Sequence, residues 1–173
     1  MDDLHEHDLV RTEFSIEGLT CYVERSDAAQ GGADIFRNHS FEATVFAQML
    51  VGLAGSVFGL GSEVCHIYYH FEGTTAAFNR GGALYFNLDV FLAQIRTQGW
   101  RFKSVVGEDL RPVFVPPKEA VVDWFGVFCH ECSHNHIGQH DAEFANWMMS
   151  YFTGYLELLN AHLEQNEQRL DRS

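Results

Sequence analysis

His130-Glu131-Cys132-Ser133-His134, with His140 six residues on, sets three imidazoles and one carboxylate in a register that can build a hydrolytic zinc site. On an α-helix the i and i+4 positions share a face, so His130 and His134 can aim ring nitrogens at one cation. Glu131 lies one position round and can reach a water held by that cation, as a general base. The third ligand is His140, which a short turn beyond the helix would return to the same face. Glu157, on a later helical segment, is its rival, and Asp141 and Glu143 are further alternatives. Three protein ligands with an open fourth position make a catalytic zinc centre, whereas four protein ligands make a structural one.

Ten histidines in 173 residues make accidental matches easy, so the flanks of the motif matter. Pro116-Pro117 can begin a helix but not sit inside one, and residues 118–136 contain no later proline. His130 and His134 therefore fall well inside a predicted helix whose other residues, among them Val121, Trp124, Phe125 and Phe128, are apolar nearly all round. Such a helix is buried. Its Glu and two His must then find partners, either as ordinary core residues or around a metal and its water. Gly138 can take the left-handed conformation that ends a helix, so the chain is expected to stop after Ile137 and swing His140 back.

Two other chemistries share these residues. A zinc-stabilised interaction or scaffold module without turnover would close the fourth position with Cys132 or His136, but those two sit on a different part of the helix surface from His130 and His134. A nucleobase-type deaminase would use His70-Phe71-Glu72 with Cys129 and Cys132. Its signature wants proline before the first cysteine and the His-x-Glu on a helix, whereas Phe128 precedes Cys129 and the His70 segment reads as a strand.

Composition narrows the class further. A formal charge of −13 with eleven scattered Lys and Arg argues against nucleic acid as a partner; the acidic surface reads first as a solvated one and second as one that favours basic peptides, the expected partner being a peptide or protein substrate. The longest apolar window, residues 45–60, is interrupted by Gln48 and glycines and is short for a membrane span. The opening Met1-Asp2-Asp3-Leu4-His5-Glu6 carries the wrong charges for a secretory signal, so a cytoplasmic protein is expected. In that setting Cys21, Cys65, Cys129 and Cys132 are expected to be free thiols used in packing.

The elements that must hold the motif read as α+β, in one domain over residues 1–173. Residues 13–24 suggest a strand pair or one bulged strand around Gly18, and residues 27–32 a loop. Ser40 is the expected N-cap of a core helix carrying Phe41, Val45, Met49, Leu50, Leu53 and Val57. Residues 64–71 and 83–88 read as strands of a hairpin or meander, with a reversal at Gly81-Gly82. Asp89 is expected to cap a short helix reaching Gln98, and residues 99–117 to form a long irregular connection, an ordinary surface loop or else a lid. A last helix runs over residues 141–170, with Phe144, Trp147, Tyr151, Phe152 and Leu159 on its apolar face, and residues 165–173 fray. The sheet is expected to be small and mainly antiparallel, with the metal helix packed beneath it.

Two stretches together resemble a known family. Ala77-Phe78-Asn79-Arg80-Gly81-Gly82-Ala83-Leu84-Tyr85-Phe86-Asn87-Leu88, then His130-Glu131-Cys132-Ser133-His134-Asn135 and His140, are similar to the zincin-type zinc-peptidase module at the C-terminus of large proteins carrying a histidine-kinase/chaperone-type ATPase domain. The likeness spans roughly half the chain, about residues 65–152. It implies a zincin-like fold, zinc (Zn2+) on His130, His134 and His140, and Glu131 as general base of a metallopeptidase. It also implies that residues 83–88 are an edge strand offering backbone groups to an extended peptide, with Asn79 and Arg80 as turn residues. Cys132-Ser133 departs from the family's Leu-Ala, and the ATPase portion is missing. Against the metzincin pattern, the glycine stands one position late, at Gly138, and no Met-turn follows.

Overall fold

The computed structural model describes residues 7–173, so the opening segment on which the leader argument rests lies outside the described residues. The chain begins with β1 (Leu9–Ile16) and β2 (Leu19–Glu24), an antiparallel pair with a register shift between Arg11 and Ser15. In β2 the alternation of the sequence is realised: Leu19, Cys21 and Val23 are fully buried, while Thr20, Tyr22 and Glu24 face the other side. The expected loop at residues 27–32 is a turn over residues 29–31 between the short helix α1 (Arg25–Ala28) and a 3-10 turn (Gly32–Asp34), after which comes the short α2 (Ile35–Asn38).

The core helix α3 (Ser40–Ser56) follows. Its N-cap is His39 rather than Ser40, which is the first helical residue and whose carbonyl accepts from Thr44 Oγ1. The helix is buried on most sides and carries the chain across to β3 (Cys65–Tyr69), which for that reason pairs parallel with β2.

From β3 the chain passes to the outer edge as β4 (Ala77–Arg80), reverses at Gly81-Gly82, and returns as β5 (Ala83–Asn87) between β4 and β3. Both turn glycines have positive φ, 60° and 90°, the backbone that a two-residue hairpin turn requires. Residues 64–71 and 83–88 are therefore parallel neighbours, not a hairpin, and the hairpin is β4–β5. The edge strand is β4; the sequence had assigned that place to residues 83–88. The sheet order is β1-β2-β3-β5-β4. Its two inner pairings are parallel and its outer two antiparallel, so it is mixed where a mainly antiparallel sheet was expected.

Helix α4 (Leu88–Gln98) is capped by Asn87, whose side chain accepts from the Asp89 backbone N–H; Asp89 itself lies in the first turn. The connection read as irregular contains a two-stranded antiparallel sheet, β6 (Lys103–Val106) and β7 (Pro112–Val115). Gln48 of α3 ties it down, accepting from Phe114 N (2.8 Å) and donating to Pro112 O (3.2 Å). A polar residue that interrupts the apolar window thus has a structural partner.

Helix α5 (Lys118–Ser133) carries the motif, and α6 (Ala142–Asp171) completes the fold with Asp141 as N-cap. The α6 helix continues through the segment expected to fray, where Asn166 is buried. Its apolar face is only partly covered: Met149, Phe152 and Leu156 remain exposed. Trp124 and Phe128 of α5 pack on Phe86 of the sheet, and Phe46 and Phe91 close round the Trp124 ring. Full burial of each such side chain contributes about 1.5–3 kcal/mol, which fixes the helix to the sheet. All four cysteines are free and buried. No helix among the described residues is long and apolar enough to cross a membrane.

Candidate metal centre

Helix α5 starts immediately after Pro116-Pro117 and ends with Ser133, whose hydroxyl donates back to the Cys129 carbonyl (2.7 Å). His134 is the C-cap. The next residues tighten into a 3-10-like turn, with His136 N–H donating to Ser133 O (3.0 Å). The helix therefore ends four residues earlier than expected, and Gly138 does not take a positive φ. A polar chain returns to the site without a left-handed glycine.

His130, His134 and His140 converge. Each offers a ring nitrogen within 4.8 Å of the other two. His130 Nε2 lies 3.3 Å from His134 Nε2 and 3.1 Å from His140 Nε2. Nitrogens at a Zn–N distance of about 2.0–2.1 Å in a tetrahedral set stand about 3.3 Å apart, so this spacing fits the ion. Ring protons fit less well. His134 Nδ1 faces the Ile137 carbonyl at 3.2 Å and must donate there, which leaves its Nε2 with a lone pair. A single proton on His130 can bridge only one of its two contacts well, and a cation relieves the conflict.

Electrostatics favours the neutral form of two of these rings, His130 and His134. Burial, followed by the neighbouring His134 and His140, lowers the His130 pKa to about 4. Burial also lowers that of His134, opposed by the Ile137 carbonyl. Neutral imidazole is the form that ligates.

Glu131 is buried, at 4% exposure. Burial pushes its carboxyl up to about 7, and the backbone N–H of Asn79 beside it pulls the other way. A carboxyl balanced near neutrality is suited to taking and returning a proton.

Asn79 fixes this end of the helix. Its Nδ2 donates to the Glu131 carbonyl and to Asn135 Oδ1, both at 2.8 Å, while its Oδ1 accepts from Gly82 N–H. The edge strand, its turn and the motif helix are thereby one unit. Arg80 spans Phe78 and Tyr85 and donates to the His7 carbonyl, a structural role.

The other residues singled out lie elsewhere. Glu157 is exposed on α6 and is not in the histidine group, Asp141 caps α6 by accepting from Phe144 N–H, and Glu143 is exposed in its first turn. Cys132 is outside the group, its thiol pushed up to about 11 by burial and then by Glu131. His136 stacks on Trp147 (3.7 Å between ring centres) and pairs with the Tyr151 hydroxyl (2.9 Å). Among the described residues, no further His, Cys, Asp or Glu completes a fourth ligand position.

Phe144 was assigned only to the face of the last helix. Its ring packs on all three imidazoles, with centres 4.9, 4.8 and 4.6 Å from those of His130, His134 and His140. Nothing in its spacing announces this, because its place depends on the turn between α5 and α6.

The β6–β7 hairpin adjoins the N-terminal end of α5, and the histidines stand at the other end. It is not a lid over them. The chain matches no protein-family model, no curated protein and no solved structure. The geometry of these residues therefore carries the functional reading.

Proposed function

We propose that the chain is a zinc-dependent hydrolase, a metallopeptidase of zincin type, with His130, His134 and His140 as ligands and Glu131 as general base. The convergence of three ring nitrogens at metal-ligand spacing beside a buried carboxyl carries this reading. When bound, zinc supplies Lewis acidity and a water acidified to a pKa of about 7. Glu131 accepts the proton of the attacking water and delivers it to the leaving amine. The Ile137 carbonyl holds His134 in the ligating tautomer, and Phe144 holds the three rings together. The edge strand β4, anchored to the motif by Asn79, offers backbone groups to an extended peptide.

The rival reading, a zinc-binding interaction or scaffold module, needs a fourth protein ligand to close the centre. Cys132 and His136 were the candidates for it, and both stand outside the group.

The test is metal analysis of protein purified without nickel, with two variants. Glu131→Gln should retain one zinc per chain and lose peptide hydrolysis; His134→Ala should lose both. Hydrolysis retained by Glu131→Gln removes the carboxyl from the mechanism, and zinc retained by His134→Ala removes the centre.

A further inference from the structure

A second concave surface lies at the opposite end of α5 from the histidines. His130 lies twelve positions beyond Lys118 along the helix, about 18 Å at 1.5 Å per residue. The cavity, about 260 Å³ and open to solvent on one side, is bordered by the β6–β7 hairpin, the Pro116-Pro117 corner and the C-terminal half of α6. Its apolar walls come from Val115, the two prolines, Leu163 and Leu170.

Its charge runs against that of the chain. Only two lysines occur in the sequence, Lys103 and Lys118, and both line this cavity with Arg101. Cations that look scattered along the sequence are thus gathered by the fold. Among the described residues Glu167 is the only carboxylate in the lining, which leaves them a formal excess of two positive charges in a chain of net charge −13. Among the described residues none of the three cations forms an ion pair, in a chain rich in acidic residues.

An independent observation comes from Asn166. It occupies the buried face of α6 in series with Leu159 and Leu163, is only 7% exposed, and lines the cavity. Its side-chain amide makes no hydrogen bond with any described residue. The amide is not one of the fully enclosed unpartnered polar groups among the described residues, so it opens on the cavity, where a ligand can take the place of water.

We propose that this cavity binds a small organic carboxylate carrying an apolar tail. The carboxylate lies among Lys103, Lys118 and Arg101 with the Asn166 amide donating to it, and the first turn of α5 adds the positive end of its dipole. The tail lies on Leu163, Leu170 and the prolines. The volume admits a ligand smaller than a drug-sized one.

Hexanoate is the probe, titrated into 15N,13C-labelled protein and followed by NMR. Saturable shifts are expected at the Asn166 side-chain amide and the Leu163 and Leu170 methyls. Hexanol, which lacks the charge, and acetate, which lacks the tail, should each bind at least about ten-fold more weakly. Lys103→Gln with Lys118→Gln, both exposed positions, should weaken hexanoate binding by at least about ten-fold. Asn166→Asp keeps the shape but sets a second carboxylate against the first, and should abolish binding. Equal binding of hexanol, unchanged affinity in the lysine double variant, shifts confined to another surface, or no saturation by about 10 mM hexanoate would each overturn the proposal.

Discussion

Asn79 on the edge strand donates to the backbone carbonyl of Glu131, 2.8 Å away and 52 residues later in the chain. With the bonds to Asn135 and Gly82, one side chain clamps the β4–β5 turn to the end of α5. Net contributions of about 1 kcal/mol per bond lead us to expect that Asn79→Ala destabilises the chain by about 1–3 kcal/mol. Asn79→Asp retains the acceptor for Gly82 N–H but neither donor, and should recover only part of the loss. Urea unfolding of the two variants beside the parent checks this; an Asn79→Ala chain as stable as the parent would mean the clamp is idle.

Phe144 packs on all three histidine rings and is 5% exposed. Truncation to alanine leaves a cavity and frees the rings, for a cost of about 3 kcal/mol, the lower end of the usual range because His140 beside it is exposed. Zinc affinity should fall by about ten-fold or more, as it does when groups that orient ligands are lost. Phe144→Leu should retain most of both. Calorimetric zinc titration separates the effects, since a purely structural phenylalanine would change stability without changing affinity.

The histidine set was legible in the sequence because helical periodicity alone brings His130 and His134 together, and because a short connection limits where His140 can go. The strand regions at residues 13–24, 64–71 and 83–88 were legible too, through β-branched and aromatic residues, but β4 was not, since its Asn79 and Arg80 read as turn residues. Pairing was not. The parallel neighbours β3 and β5 arise because the chain visits the sheet edge before returning inward, and no local residue records that detour. Likewise the β6–β7 hairpin reads as loop because each strand is four residues long, too short for an alternation to stand out; its anchor, Gln48, lies more than fifty residues away on α3. The helix-ending role expected of Gly138 failed because a 3-10-like turn after His134 does the work first. Asn87 displaced Asp89 as a cap because its side chain sits where the strand becomes helix.

His162 gives the fold a pH dependence. It is buried on α6 against Gly52, its Nδ1 has no hydrogen-bond partner, and burial, then Arg169, lowers its pKa. The folded state therefore resists a proton that the unfolded state accepts below about pH 6.5, so stability is full above that pH and falls as the pH drops toward the folded-state value. A His162→Gln variant cannot gain that proton and should lose less stability between neutral and mildly acid pH than the parent. Parallel curves for the two chains in denaturant melts across that range would show that His162 does not titrate on unfolding.

Metal binding should itself stabilise the chain, because three imidazoles held 3.1 and 3.3 Å apart at His130 in the folded state are separated on unfolding. Free zinc at about 100 times its dissociation constant adds about 2.7 kcal/mol, which for a chain of this size is a rise in Tm of roughly 5–11 °C. His134→Ala and His140→Ala should each lose most of that rise, and Glu157→Ala should keep it, since Glu157 stands outside the group. Scanning calorimetry with and without added zinc, after chelator treatment, reads all three. A rise preserved in His140→Ala and lost in Glu157→Ala would exchange the third ligand, and would require α6 to turn toward the end of α5.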